Sequence, residues 1–176
     1  PPMMMNHLVR KSELSVLFSS SGVGKSTLAL QLAVNVARGT SIHEELLPNA
    51  HPPAGVLYVD LENSKRIIAE RIGKSYLGDD RLKVLLPSIE AEDLKDPARF
   101  VASIRQELTT HRADLIVIDN LSCFYMDGEK KSEANRLITP LHELAQQGPA
   151  VVCIAHTPKR QPNTPITEAD LAGSAQ

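Results

Sequence analysis

Several common kinds of protein are excluded by what this chain has little of. There are two cysteines in 176 residues, Cys123 and Cys153. They stand too far apart for a metal knuckle and sit in or beside apolar stretches, so reduced, packed thiols are expected. Charge of one sign is not in excess: 19 Lys and Arg against 21 Asp and Glu leave a net −2. No global basic footprint marks a nucleic-acid binder, although a few loops can carry all the basic groups such a protein needs. Long hydrophobic runs are missing. The densest, Leu115–Ile118 and Val151–Ala155, are strand-sized rather than membrane-sized. Pro1–Met5 lacks a signal-peptide layout and reads as an expression scar or an excision boundary. His7, His43, His51, His111 and His142 show no metal spacing. The expected compartment is the cytoplasm, with no membrane contact.

What is present is an alternation of strand-like and helix-like segments, the signature of an α/β sheet with crossover helices. Leu14–Phe18, Gly55–Asp60, Arg81–Leu86, Leu115–Ile118 and Ala150–Ala155 read as strands. Thr27–Ala37 reads as a helix stopped by Gly39, and Ser64–Leu77 as a second. Asp96-Pro97 supplies a cap and a first-turn proline for a third, running to about Thr110. Lys130–Gln147 reads as a helix interrupted or kinked at Pro140. The prolines of Thr40–Ala54 and those beyond Thr157 predict a surface excursion and an extended loop. Residues 1–13 are expected to be an extension or linker, and 14–176 one domain.

The sharpest motif is Ser21–Thr27, SGVGKST, between a strand and a helix. This is the phosphate-binding loop: successive backbone N–H groups curl round phosphates, and the helix N-terminus adds partial positive charge. Ser21, Gly22, Val23 and Gly24 form the cradle. Lys25 would reach the β- and γ-phosphates, Ser26 would ligate Mg²⁺, and Thr27 would touch the α-phosphate. One position departs from the pattern, because its first glycine falls on Ser19. If that position needs a positive φ, serine costs on the order of 1 kcal/mol there. Leu115–Asp119 is an apolar strand ending in an acid, the Walker B pattern, which puts Asp119 opposite Ser26 as a second magnesium group. Asn120, not a glutamate, follows it. His156 ends the last strand, where it would hydrogen-bond the γ-phosphate and report its loss to the following loop.

These pieces resemble the RecA/DnaB superfamily of ATPases, and most of all its RepA-type branch of hexameric replicative helicases from plasmids and mobile elements. The resemblance rests on ELSVLFSSSGVGKSTLALQLA, VLYVDLENSKRIIAERI, DLIVIDNLSCF, AVVCIAHTPK and DLAGSAQ, spanning about Glu13 to Gln176. It implies a three-layer α/β/α RecA-like core with a mainly parallel sheet, cut short at its C-terminal end. It implies ATP and Mg²⁺ as ligands, and Glu62 as catalytic base, with Asp60 as support or competitor. It also implies a ring, a hexamer, in which Lys159 or Arg160 crosses to the neighbouring subunit's γ-phosphate. Loops at Leu121–Arg136 and Thr157–Ala172 would face single-stranded DNA. They carry Lys130, Lys131, Arg136, Lys159 and Arg160 but few aromatics, so phosphate charge rather than base stacking would hold the strand.

The leading expectation is thus an ATP-hydrolysing motor domain, a DNA helicase or a replication or mobilisation ATPase. Two alternatives stand beside it, a regulatory RecA-core ATPase of the KaiC kind acting on protein partners, and a small-molecule P-loop kinase. A small GTPase is disfavoured, because no Asn-Lys-x-Asp guanine motif is present.

Overall fold

The computed structural model describes residues 2–5, 8–73, 80–86, 96–124 and 131–156. Two short strands, β1 (Met3–Met5) and β2 (Val9–Arg10), pair antiparallel. Then β3 (Leu14–Ser19), β4 (Val56–Asp60), β5 (Leu82–Leu85), β6 (Leu115–Asp119) and β7 (Ala150–His156) form one sheet in the order β3-β7-β6-β4-β5. Every pairing in it is parallel. Between the strands run α1 (Lys25–Arg38), α2 (Lys65–Ile72), α3 (Pro97–Thr110) and α4 (Lys131–Gln146).

The handedness of parallel crossovers decides where the helices lie. The links through α1 and α2 move one way across the sheet, and those through α3 and α4 move back. Right-handed links in opposite directions must cover opposite faces, and the two apolar layers follow that rule. On one side Ala33 and Val36 of α1 and Ile68 of α2 meet Val56, Tyr58, Leu115, Val117 and Val152. On the other, Phe100 and Ile104 of α3 and Leu137 and Leu141 of α4 meet Leu57, Val59, Ile116, Ile118 and Val151. Strands sandwiched in this way are apolar on both faces, which is why β4 and β6 read as continuous hydrophobic runs. Each large side chain buried there stabilises the fold by about 1.5–3 kcal/mol. The result is the expected three-layer α/β/α RecA-like core.

Local signals set most boundaries. The Asp96 carboxylate accepts from Ala98 N at 3.0 Å, capping α3 ahead of Pro97. Gly39 ends α1 in the left-handed conformation. Three expectations change. Helix α1 starts at Lys25 rather than Thr27, because Gly24 already accepts the first helical bond from Leu28 N at 2.9 Å. Helix α4 runs through Pro140 without interruption. Proline removes one donor there, and the buried Leu137, Leu141 and Leu144 on either side hold the turn in place. Met4 and Met5 of β1 and Val9 of β2 are buried in the α1-side layer, so both short strands pack against the main core. Helix α2, expected to reach Leu77, ends at Ile72, where Gly73 takes a positive φ of 78° and leaves the helical path; residues 74–77 and the loop beyond Thr157 lie outside the described residues.

Where two backbones nearly touch, residue type is dictated by space alone. A Cβ built on Gly55 would lie 1.9 Å from the carbonyl oxygen of Arg112, at the entry to the central strands. Gly55→Ala should therefore force the chain apart and lower stability by roughly 1–3 kcal/mol. A urea midpoint equal to the parent's would refute this.

Candidate functional site

Strand register gathers the site. Ser19 is paired with His156 across β3 and β7, and Asp60 with Asp119 across β4 and β6. All four residues end their strands at the carboxyl edge of the sheet. The connection after β4 leads to one face and that after β6 to the other, so a crevice opens between these strand ends, the usual place for a ligand in an open α/β sheet.

The phosphate loop leaves β3 at Ser19 and enters α1 at Lys25. Its positive φ values fall on Gly22 (81°) and Gly24 (92°), while Ser19 is an ordinary extended residue. The serine in place of the first glycine therefore carries no left-handed strain, and the cost considered for it does not arise. Residues 20–24 are exposed, and Val23 stands out at 60%. Lys25 is buried, and its Nζ donates to the carbonyls of Ser19 at 2.9 Å and Ser20 at 2.7 Å. Burial lowers its pKa below the ordinary lysine value, and the carboxylates of Asp119 and Glu62 oppose that shift. Thr27 is exposed on the first turn of α1.

Asp119 is fully buried. Its Oδ1 accepts from the Ser26 hydroxyl at 3.1 Å, and its Oδ2 from the Tyr58 hydroxyl at 2.8 Å. Burial pushes its carboxyl above the usual aspartate range. The two hydroxyl bonds pull the other way, and the negative charges of Asp60 and Glu62 push it up further. Burial raises the Tyr58 phenol too, followed by the charge of Asp119. Among the described residues no three His, Cys, Asp or Glu side chains are grouped to hold a metal. A hydroxyl and a carboxylate 3.1 Å apart nevertheless form an all-oxygen donor pair. That suits Mg²⁺, which takes few protein ligands and completes its shell with phosphate oxygens and water.

Asp60 and Glu62, the two candidates for base, are in different situations. Asp60 is buried, and its Oδ1 accepts from the amides of Glu62 at 2.9 Å and Asn63 at 2.7 Å. The Asn63 side chain adds bonds to both oxygens at 3.2 and 3.1 Å. Asp60 thus shapes the turn that presents Glu62. The Glu62 side chain is 46% exposed, and its Oε1 lies 3.7 Å from His156 Nε2. Asn120, buried beside Asp119, has its Nδ2 3.1 Å from the same His156 nitrogen. The structure therefore brings together Ser21 to Thr27, Glu62, Asp119 and His156. Lys159 and Arg160 lie outside the described residues.

Two members of the site are not evident from sequence reasoning. Tyr58 looks like one more apolar residue of a buried strand, and Asn120 like a spacer after the acid. The available signal for Tyr58 was a polar-tipped ring in an otherwise aliphatic strand, two residues before its terminal acid. A family model described as an AAA domain matches residues 1–162. No curated protein matches the chain.

Because the folded Asp119 carboxyl holds its proton more tightly than an unfolded one, whose value is near 3.8, its ionisation opposes folding. The cost grows as pH rises from that value through the raised folded pKa, and is complete above it. Asp119→Asn should melt above the parent in EDTA at about pH 8, with a gap that closes towards about pH 4. A gap of constant size would refute the assignment.

Proposed function

The chain belongs to the AAA domain family of P-loop ATPases, and we propose that it is the motor domain of a DNA helicase or of a replication or mobilisation ATPase, working as a ring. The observation that supports ATP hydrolysis most directly is the Ser26–Asp119 pair at 3.1 Å, with Glu62 presented on the adjoining strand end.

In this reading the amides of residues 21–25 hold the phosphates, and Lys25 moves its ammonium from the Ser19 and Ser20 carbonyls to the β- and γ-oxygens. Ser26 and Asp119 would hold Mg²⁺, which when bound supplies charge neutralisation at those oxygens. Glu62 accepts a hydrogen bond from the attacking water and takes its proton as the oxygen bonds to the γ-phosphorus and the bond from that phosphorus to the β–γ bridging oxygen breaks, with ADP leaving. His156 sits on the same side, close enough to Glu62 and Asn120 to sense whether the γ-phosphate is present. Lys159 or Arg160 reaches the γ-phosphate of the neighbouring subunit and stabilises the charge that develops there. Single-stranded DNA runs along the loops after β6 and β7. Arg136, exposed on α4, supports that assignment, as does the resemblance of the spaced motifs to RepA-type helicases.

Lys25→Ala should lower ATP turnover by about a hundredfold or more, since it removes the main fixed charge on the phosphates. Glu62→Gln should lower turnover by roughly 10²–10⁴-fold while ATP still binds. Near-normal hydrolysis in either variant would overturn the role assigned to that residue. Steady-state hydrolysis with and without single-stranded DNA tests the motor assignment. Stimulation is expected; hydrolysis indifferent to DNA would point instead to a regulatory ATPase with a protein partner. Arg160→Ala or Lys159→Ala mixed with Glu62→Gln should regain part of the lost turnover if the basic residue acts across a subunit boundary. Absence of any rescue for both would reject the ring arrangement.

A further inference from the structure

Tyr58 belongs to neither of the motifs that mark the site, yet its hydroxyl is the second partner of the most buried charge in it. It lies on β4, the strand that also delivers Asp60 and the turn bearing Glu62, whereas Asp119 ends the neighbouring strand β6. The ring is 1% exposed and packs in the α1-side apolar layer, which leaves it little rotational freedom. From that fixed position the hydroxyl donates to Asp119 Oδ2 at 2.8 Å, while Oδ1 receives the Ser26 hydroxyl at 3.1 Å.

We propose that Tyr58 is a positioning residue for the metal site: it occupies one carboxylate oxygen of Asp119 so that the other is held towards Ser26, where Mg²⁺ would bind. This rests on the reading of Ser26 and Asp119 as the magnesium pair. The carboxylate has two equivalent oxygens and a soft terminal torsion, so α1 alone does not select which oxygen faces the helix. A second hydroxyl, held on the other oxygen, makes the selection. A phenol suits this better than an amine or guanidinium, because it adds no positive charge beside the cation that Asp119 has to attract. Partners of this outer kind typically alter metal affinity by about 10–100-fold when removed.

Tyr58→Phe keeps the ring and deletes the hydroxyl. Three readouts separate its effects: affinity for a fluorescent ATP analogue in EDTA, the gain in that affinity on adding Mg²⁺, and the Mg²⁺ concentration giving half-maximal hydrolysis. The expected result is unchanged binding in EDTA, a magnesium-dependent gain reduced about tenfold or more, and turnover recovered at high Mg²⁺. In an Asp119→Asn background, Tyr58→Phe should add no further loss to the magnesium term. Replacing Tyr58 with 4-aminophenylalanine retains a donor and should behave like the parent, which tests the same contact should the phenylalanine variant fold poorly. An equal loss of affinity with and without Mg²⁺, an unchanged magnesium requirement, or failure of the donor-bearing variant to restore it would each overturn the proposal. Magnesium dependence left intact by Asp119→Asn itself would reject the metal-site reading underneath it, independently of the Tyr58 result.

Discussion

A carboxylate that water cannot reach is the constraint on which this site is built. Leaving the buried charge of Asp119 unpartnered would cost several kcal/mol. The cost is offset by one hydroxyl from α1 and one from β4, each on a different side of the acid. These partners tie the P-loop helix and two sheet strands to a single side chain. Movement of any of the three elements would expose or strand the charge, so the electrostatics of one residue constrain the relative placement of all of them. Proteins seldom bury an acid so thoroughly for stability alone, and the residual tendency of Asp119 to keep its proton leaves room for a cation to improve on its present partners.

The second constraint is topological. Because parallel crossovers are right-handed, reversing the direction of travel between β5 and β6 places α3 and α4 opposite α1 and α2. The same reversal opens the crevice in which Asp60, Asp119 and the P-loop converge. Fold and site share one cause here.

Much of this was legible in the sequence because the responsible signals are local. Apolar runs of strand length marked β3 to β7, Asp96-Pro97 marked the start of α3, and the lysine-serine pair of the P-loop carried its own strand-and-helix context. The acids at the ends of β4 and β6 were visible as well. What could not be read depends on register between strands distant in sequence. Asp60 and Glu62 are both acids just past an apolar run. Only the turn, in which Asp60 accepts from the amides of Glu62 and Asn63, separates the acid that shapes the loop from the one it presents. The partnership of Asn120 with His156 requires β6 and β7 to lie side by side. Ser19 looked like a defect in its motif because spacing places a residue without giving its backbone angles.

The place of β7 in the sheet has a further implication, for the order in which the protein is made. This strand, the last of the five in the chain, is the one that separates β3 from β6. Among the described residues β3 pairs with β7 alone, Leu14 opposite Val151, so until β7 has left the ribosome β3 lacks that neighbour. Helix α1 can already lie on β4 and β6, with which it shares an apolar layer, while β3 lacks the neighbour that fixes it in the sheet. Contacts of such sequence separation form late and slowly. The sheet that carries the phosphate loop is therefore completed only once β7 has been made, and a chain interrupted before it would hold the whole phosphate-binding motif on a strand without its neighbour.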